Sequence, residues 1–193
     1  MQNLYGRAPI ALPGFVTMRA NTNYRSPRPV VDLLKRLMPG HVDIEAASPF
    51  IGEDIEILDY EDTAGMFARV KEGIRLCYAA GFKKHDLAII SYHGREQSHL
   101  TTLDKLGTTS LRYFTGEYDL LGLPVYTDGD VLVESVYRFK GQAASAIILT
   151  EIDFEVLDDK ALRKLFVGAT RSSMKLVLVI HRNSAARLLE RLD

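Results

Sequence analysis

Residues 146–180 read AIILTEIDFEVLDDKALRKLFVGATRSSMKLVLVI, with two continuous apolar runs on either side of an amphipathic segment. The runs Ala146–Leu149 and Leu176–Ile180 lack the alternation of a half-exposed strand, which is typical of strands buried on both faces of a parallel sheet. Between them, Asp158–Ala169 repeats apolar residues at helical spacing. The stretch therefore predicts a strand, a helix and a second strand.

The rest of the chain continues this alternation. Apolar runs predict further strands at Phe15–Arg19, Ile55–Leu58, Asp86–Ser91, Leu111–Thr115, Pro124–Tyr126 and Val131–Val136. Helical spacing predicts helices over 27–38, Asp62–Ala80, Gln97–Leu106 and Asn183–Leu192, the first with Ser26 as its cap and Pro27 at its first position. Together these elements predict an α/β fold with an open, mostly parallel sheet and helices on both faces. Residues 1–14 are expected to form an extended lead-in.

Composition and charge fit an ordinary globular domain. Of the 193 residues, 47% are hydrophobic and 25% are charged, and the formal net charge is −1. A strongly basic domain would indicate nucleic acid by its charge alone, so any such contact here must come from a local patch. The single cysteine, Cys77, lies in the predicted helix 62–80, and we expect it to be a small buried hydrophobe rather than a reactive thiol.

The cysteine and histidine positions predict neither a disulfide framework nor a metal site. One cysteine cannot form a bridge within the chain, and no Cys/His cluster has the spacing of a zinc site. The N-terminus also lacks the features of a signal peptide, and no stretch approaches the roughly 18 apolar residues that a membrane span needs. We therefore expect a cytoplasmic protein with no bound metal of its own and no membrane partner.

Three short polar stretches lie beside the ends of predicted strands or helices, at Asn23–Pro27, Ser135–Gln142 and Thr170–Arg171. Helix N-termini and glycine turns expose backbone N–H groups that attract anions. Together the stretches are expected to build an edge for phosphate. Taken singly, each also fits an ordinary role: an aromatic residue packed beside a surface charge, a turn with a solvated lysine, or an arginine paired with a carboxylate.

Arg171 is the most informative of these residues. It lies between a predicted helix and the strand Leu176–Ile180, at a sheet edge, where α/β proteins place their ligands. Its guanidinium stays protonated, and its planar fork suits phosphate oxygens. If Arg171 reaches the terminal phosphate of a nucleotide, the chain is part of a phosphate-driven machine.

The order of the three stretches resembles that of the second RecA-like domain of superfamily I helicases of the UvrD/Rep kind. Asn23-Tyr24-Arg25-Ser26 is similar to motif IV of that family. Ser135 through Lys140-Gly141 is similar to motif V, usually Thr-x-His-x-x-Lys-Gly-x-Glu, and Leu165 through Ser172 is similar to motif VI. The resemblance spans residues 20 to about 182, and it implies that residues 15–193 form one such RecA-like domain of a larger protein.

The resemblance implies a nucleotide-binding role for five residues. Tyr24 would stack on the adenine ring of ATP. Arg25 and Arg171 would be catalytic, as arginine fingers that approach the γ-phosphate from across an interdomain cleft. Lys140 and Gly141 would lie near the nucleotide.

The resemblance also implies a path for single-stranded DNA, with RNA not excluded. Ser135 and Tyr137 would lie on this path, although they stand where the family usually has Thr and His. Arg95 follows the strand 86–91 and is a further candidate, the alternative being a solvated loop charge. Ala143 stands where the usual motif V has Glu, so the carboxylate expected near the ribose is missing.

The sequence has no Gly-x-x-x-x-Gly-Lys-Ser/Thr phosphate loop and no strand that ends in an Asp-Glu pair. In the family it resembles, both belong to the N-terminal RecA-like domain, which would hold ATP and Mg²⁺. The resemblance therefore implies the C-terminal motor domain of an ATP-dependent DNA helicase or translocase, and the chain alone is expected to hydrolyse no ATP. The alternative is a non-catalytic RecA-like interaction module, which Ala143 and the near-neutral charge favour.

An acidic group follows the predicted strand 146–149. It consists of Glu151, Asp153, Glu155, Asp158 and Asp159. Such a group could suggest a metal site, but we expect an acidic helix start instead, because acidic side chains in a first turn favour the helix dipole.

Overall fold

The computed structural model describes residues 21–39 and 44–192, which form eleven strands and four helices. The strands are β1 (Thr22–Asn23), β2 (Glu45–Ala46), β3 (Glu56–Tyr60), β4 (Leu87–Ser91), β5 (Lys105–Leu106), β6 (Thr109–Arg112), β7 (Phe114–Tyr118), β8 (Pro124–Tyr126), β9 (Val131–Ser135), β10 (Ala144–Ile152) and β11 (Ser172–His181). The helices are α1 (Arg28–Leu37), α2 (Thr63–Ala79), α3 (Asp159–Ala169) and α4 (Arg182–Leu192). The predicted strand Phe15–Arg19 and lead-in 1–14 lie outside the described residues.

Seven strands form the central sheet, in the order β3-β11-β10-β4-β9-β6-β5. Neighbours from β3 to β6 are all parallel, and β5 joins at the edge in the antiparallel direction. β7 and β8 form a separate antiparallel hairpin, and β1 pairs with β2. Since six strands run the same way, the sheet has two different ends, which we call the amino edge and the carboxyl edge after the strand termini found there.

The core has two layers because side chains alternate across the buried strands. In β4, Ala88 and Ile90 face the layer that contains α1, α3 and α4, whereas Leu87 and Ile89 face the layer that contains α2. Both layers exclude water, and burying one such aliphatic side chain contributes about 1.5–3 kcal/mol. The continuous apolar runs of the sequence therefore predicted correctly that helices cover both faces.

The sequence of α2 explains why this segment forms a helix. Its N-cap is Asp62, whose carboxylate accepts a hydrogen bond from Gly65 N at 2.6 Å. Val70, Ile74 and Cys77 then recur at helical spacing and are buried against the sheet. Burial raises the pKa of the Cys77 thiol to about 11, so the predicted small buried hydrophobe is confirmed.

Two local predictions were wrong. Ser26 is not the cap of α1, which begins at Arg28 with Pro27 at the N-cap position, because the Ser26 hydroxyl donates to Thr170 O at 3.3 Å instead. The helix predicted over Gln97–Leu106 is replaced by two short 3₁₀ turns and β5. There the Thr101 hydroxyl bonds the backbone carbonyls of Arg95 and Ser98, which competes with helical hydrogen bonding.

None of the helices in the two described ranges combines the length and hydropathy needed to cross a bilayer.

A loop before β3 fixes the start of α1. Lys175 in β11 is 4% exposed and pairs with Glu53 at 2.8 Å, and Glu53 N donates to Met174 O at 2.9 Å. The neighbouring Gly52 has φ +75°, and a Cβ placed there would lie 2.2 Å from Pro27 Cβ. The loop therefore packs against the residue that comes directly after Tyr24–Ser26.

Replacing Gly52 by alanine is expected to destabilise the protein by more than the cost of placing alanine in a left-handed backbone conformation. Gly81 is the matched control, because it has φ +91° with no atom within 4 Å of a built Cβ. Both Gly52→Ala and Gly81→Ala carry a left-handed penalty of about 1–2 kcal/mol, and Gly52→Ala adds an overpacking cost of about 1–3 kcal/mol. Urea unfolding of the two variants measures the difference, and equal losses would contradict the packing described here.

Candidate functional site

A cleft of about 550 Å³ lies at the amino edge of the sheet. Its lining includes Tyr24 and Arg25, Gly141, and Thr170 and Arg171, so residues from all three polar stretches meet there. Lys140, the fifth nucleotide-binding candidate, is exposed and is not among the lining residues. We call this space the amino-edge cleft.

The position of the cleft corrects one expectation. Gly141 precedes β10 and Arg171 directly precedes β11, so both lie at strand beginnings. In open α/β sheets, ligands usually bind beyond the carboxyl ends of the strands. Arg171 therefore lies at a sheet edge, as expected, but at the opposite edge from the one this rule describes.

The Arg171 guanidinium is held by neutral acceptors. Arg171 is 3% exposed, and its Nε donates to Val167 O at 3.0 Å. Its Nη1 donates to Gln142 O at 3.3 Å and its Nη2 to Thr170 Oγ1 at 3.1 Å. Within the described ranges no carboxylate pairs with it. The ordinary alternative, an arginine paired with a surface carboxylate, is therefore not what the described residues show.

Arg25 brings a second positive charge to the same cleft. Asn23 Oδ1 accepts hydrogen bonds from Arg25 N and Ser26 N, both at 2.9 Å, and so fixes a tight turn before α1. Arg25 is exposed and lies close enough to Arg171 that its charge, after burial, lowers the pKa of Arg171. Two like charges close together form a site for an anion. The sequence motif includes Asn23 but does not predict its role in the turn.

The predicted nucleic-acid residues lie towards the carboxyl edge. Ser135 ends β9, but it is 3% exposed and its Oγ accepts a hydrogen bond from Arg138 N at 3.3 Å. Tyr137 is half-buried, with Lys164 Nζ at 5.9 Å from its ring centre. Arg95 is half-buried with its guanidinium 5.6 Å from the ring centre of Phe114. These three residues share an edge without forming one pocket.

Sequence reasoning missed a second cavity, of about 180 Å³, at the carboxyl edge. We call it the carboxyl-edge pocket, and its lining includes Tyr60, His93, Glu151, Asp153 and His181. These residues follow or end four different strands. No local motif joins them, so only the parallel strand order brings them together.

The acidic group that follows the predicted strand 146–149 divides between two roles. Asp158 is the N-cap of α3 and accepts from Ala161 N at 2.7 Å, so the predicted helix start is correct for this residue. Glu151 is instead buried in β10, where its carboxylate accepts from the Ser91 hydroxyl and from His99 N. No group of three potential ligands comes together as a metal site in the part of the chain that the structure describes.

One family model matches part of the chain. Residues 130–179, which contain β9, β10, α3 and most of β11, match the sequence model of the UvrD-like helicase C-terminal domain. This segment is similar to that family. The resemblance seen in the sequence is thereby confirmed. No curated protein matches the chain.

Solved structures support the fold. The C-terminal domain of a possible DNA helicase from Lactobacillus plantarum WCFS1 is 18% identical, with 89% of this chain and 94% of that chain covered and a TM-score of 0.63. At this identity the likeness shows the fold alone, and it confirms the predicted RecA-like class. The helicase nonstructural protein 10 of an arterivirus covers 82% of this chain and 24% of its own, at 12% identity and a TM-score of 0.36, which carries no argument.

The His93–Asp153 pair predicts a pH-dependent contribution to stability. Their side chains are 2.9 Å apart, and the hydrogen bond to Asp153 raises the pKa of His93 above its ordinary value of 6.5. A raised pKa in the folded state stabilises the protein below pH 6.5, and this stabilisation is lost as pH rises through the folded-state pKa. Asp153→Asn should therefore lower the free energy of unfolding more at pH 5.5 than at pH 8.5, measured by urea unfolding. An equal loss at both values would show that the pair does not titrate as described.

Proposed function

We propose that this chain is the C-terminal motor domain of an ATP-dependent DNA helicase or translocase. In this proposal an N-terminal RecA-like domain holds ATP and Mg²⁺, and the amino-edge cleft supplies Arg25 and Arg171 as arginine fingers. One observation carries the proposal: two arginines without a carboxylate partner in the described residues converge on one cleft. The UvrD-like match of residues 130–179 includes Arg171 and supports the same assignment.

The surroundings of Arg171 suit a phosphate that belongs to a nucleotide bound by another domain. Burying a charge is costly unless it is paired, and the carbonyl and hydroxyl acceptors around Arg171 orient it without neutralising it. The γ-phosphate of ATP carries the missing negative charge, and that charge shifts during transfer. A fixed guanidinium stabilises the transition state without having to reorganise.

Tyr24 and Gly141 complete the nucleotide side of the cleft. Tyr24 is 70% exposed on the cleft wall, so its ring is open to an adenine ring. Gly141 has φ +91° and lets the backbone approach a ligand closely. Lys140, outside the cleft lining, would reach the nucleotide only from its rim.

Contacts with single-stranded DNA are assigned to the carboxyl edge. Arg95 and Arg138 both lie against the Phe114 ring, with guanidinium carbons 5.6 Å and 3.6 Å from its centre. Arginines combined with aromatic rings are the chemistry by which proteins bind single strands, through phosphate contacts and stacking. Ser135 and Tyr137 lie on the same side, although the buried Ser135 hydroxyl would have to leave its turn to reach a phosphate.

The arginine-finger role predicts a large catalytic defect. In a protein that joins this chain to its N-terminal ATP-binding domain, Arg171→Ala and Arg25→Ala should each lower the kcat for ATP hydrolysis, by about 10³-fold or more for a finger, while KM changes less. Arg163→Ala is the matched control, because it removes a surface arginine of the same helix α3 that pairs with Asp159. Steady-state hydrolysis with and without single-stranded DNA measures the effect.

Two outcomes would count against this role. Unchanged rates in both variants would remove the arginine fingers from the proposal. The 193-residue chain alone is expected to hydrolyse no ATP, because it has no phosphate loop. Hydrolysis by the chain alone that survives Arg171→Ala would overturn the proposal as a whole.

The strand contacts predict a salt-dependent loss. Arg95→Ala should weaken binding of a labelled single-stranded oligonucleotide about twofold to tenfold and reduce the slope of log K against log salt by about 0.7, the value for one phosphate contact on a single strand. Arg75→Ala, an exposed arginine on α2, is the control. Fluorescence anisotropy at several salt concentrations gives both quantities. Identical slopes for Arg95→Ala and the control would place the strand elsewhere.

The alternative function is a non-catalytic RecA-like interaction module. Ala143 removes the usual motif V carboxylate, and the turn of the β7–β8 hairpin exposes the large apolar residues Leu120, Leu121 and Leu123. An exposed apolar cluster is typical of a protein interaction surface. A protein that joins this chain to its N-terminal domain and neither hydrolyses ATP nor binds a single strand would favour this alternative over the motor.

A further inference from the structure

The carboxyl-edge pocket has the size and lining of a site for one small planar ligand. Its volume of about 180 Å³ is below the roughly 300–1,000 Å³ of pockets that hold drug-sized molecules. Rings from Tyr60, His93, His99 and His181 line it, together with the carboxylates of Glu151 and Asp153. Rings combined with a few carboxylates are the lining chemistry of a site for a small organic ligand.

Tyr60 provides a polar group without a partner. The residue is 8% exposed, and its ring packs edge-on against His181 with ring centres 5.4 Å apart. Its hydroxyl makes no hydrogen bond to any residue of the described ranges. In those ranges the side-chain polar atom that is both fully enclosed and without a partner is Thr150 Oγ1, so the Tyr60 hydroxyl is not fully enclosed. Tyr60 also lines the pocket. The Tyr60 hydroxyl is therefore open to the pocket. Burial, and then the charges of Asp153 and Glu151, raise the pKa of Tyr60, so the hydroxyl stays protonated and can donate.

Glu151 provides a fixed acceptor on the pocket wall. Its φ is +58°, a left-handed conformation that among the non-glycine residues of the described ranges occurs here alone. Such strain persists only where the surrounding structure holds it, and it clusters at ligand sites. The Ser91 hydroxyl and His99 N hold the carboxylate, with one hydrogen bond to each of its oxygens. Each oxygen keeps a lone pair for a ligand.

We propose that the carboxyl-edge pocket binds a nucleobase that carries an exocyclic amino group beside a ring nitrogen, that is adenine or cytosine. The amino group donates to the carboxylates of Glu151 or Asp153, and the ring nitrogen accepts from the Tyr60 hydroxyl. The histidine rings give the base a face to stack on, as aromatic side chains do for unpaired bases. Thymine presents carbonyl oxygens and a ring N–H on the same edge, so it would place an acceptor opposite a carboxylate.

The pocket lies at the same sheet edge as the residues proposed to contact the single strand, so this inference rests in part on the proposed function. Ser91, which bonds Glu151, is the sheet neighbour of Ser135 at the end of β9. A strand that passes Ser135 therefore runs beside the pocket and can place one base in it. A free nucleoside offers the same base edge, and the experiment separates the two sources.

The test compares labelled dA20 and dT20 by fluorescence anisotropy on the 193-residue chain at pH 7.5, and a second arm measures direct binding of adenosine by isothermal titration calorimetry. The expected result is a preference for dA20 of about threefold to tenfold, the value of one hydrogen bond. Tyr60→Phe should abolish the preference and leave dT20 binding unchanged. Tyr78→Phe, on the exposed side of α2, is the control that keeps it. Should Tyr60→Phe fail to fold by circular dichroism, Asp153→Asn at the exposed pocket wall serves the same purpose.

The outcomes are separable. Direct adenosine binding that Tyr60→Phe abolishes, without a preference between oligonucleotides, assigns the pocket to a free nucleoside and supports the base site. Equal affinity for dA20 and dT20 with no adenosine binding overturns the inference, as does a preference that survives Tyr60→Phe and Asp153→Asn. The arginine fingers are measured separately, by ATP hydrolysis of Arg171→Ala in the protein with its N-terminal domain. A base preference with normal hydrolysis in that variant would thus retain the pocket and reject the fingers.

Discussion

The candidate site depends on the hydrogen bonds that hold the buried guanidinium of Arg171. Its three hydrogen bonds come from separate places: Val167 in α3, Thr170 at the end of that helix, and Gln142 in the turn before β10. All three acceptors are neutral, so they fix the direction of the charge and leave it uncompensated within the described residues. A charge of this kind is stable in the interior only where it stays close to solvent or to an anion. The amino-edge cleft supplies that opening.

The rest of the fold keeps this arrangement in place. β10, α3 and β11 form one unit whose strands pair directly, and Ala144 N donates to Arg171 O at 3.1 Å across them. On the other side of the cleft, the Ser26 hydroxyl bonds Thr170 O, and Asn23 sets the turn that carries Arg25. The two arginines thus line one cleft because a tertiary contact joins segments 144 residues apart in sequence.

Predictions that rest on hydrophobic periodicity are the ones that the structure confirms most fully. Continuous apolar runs such as Ala146–Leu149 indicated strands covered on both faces, and the packing of both layers confirms this. The helix predicted over Gln97–Leu106 was wrong because Ser and Thr side chains there bond the backbone, an effect that apolar spacing does not report. The order of the motifs predicted that Tyr24, Arg25 and Arg171 would share one edge, and all three line one cleft. It could not show that this cleft lies at the amino edge. The carboxyl-edge pocket has no local signature at all, since Tyr60 and Glu151 meet only through strand order.

A short segment, residues 136–143, runs from the carboxyl edge to the amino edge of the sheet. Under the proposed function, this segment connects the single-strand side to the nucleotide side. The chain leaves β9 at Ser135 on the carboxyl edge and enters β10 just after Gly141 on the amino edge. Between them Phe139 is 2% exposed in the core layer that also contains Val167, and Arg138 pairs with Glu134 at 3.0 Å. A shift of this segment would disturb the packing behind Arg171, because close-packed cores transmit strain. In a motor, a nucleotide at the amino edge and a single strand at the carboxyl edge would therefore both act on the buried side chain of Arg171.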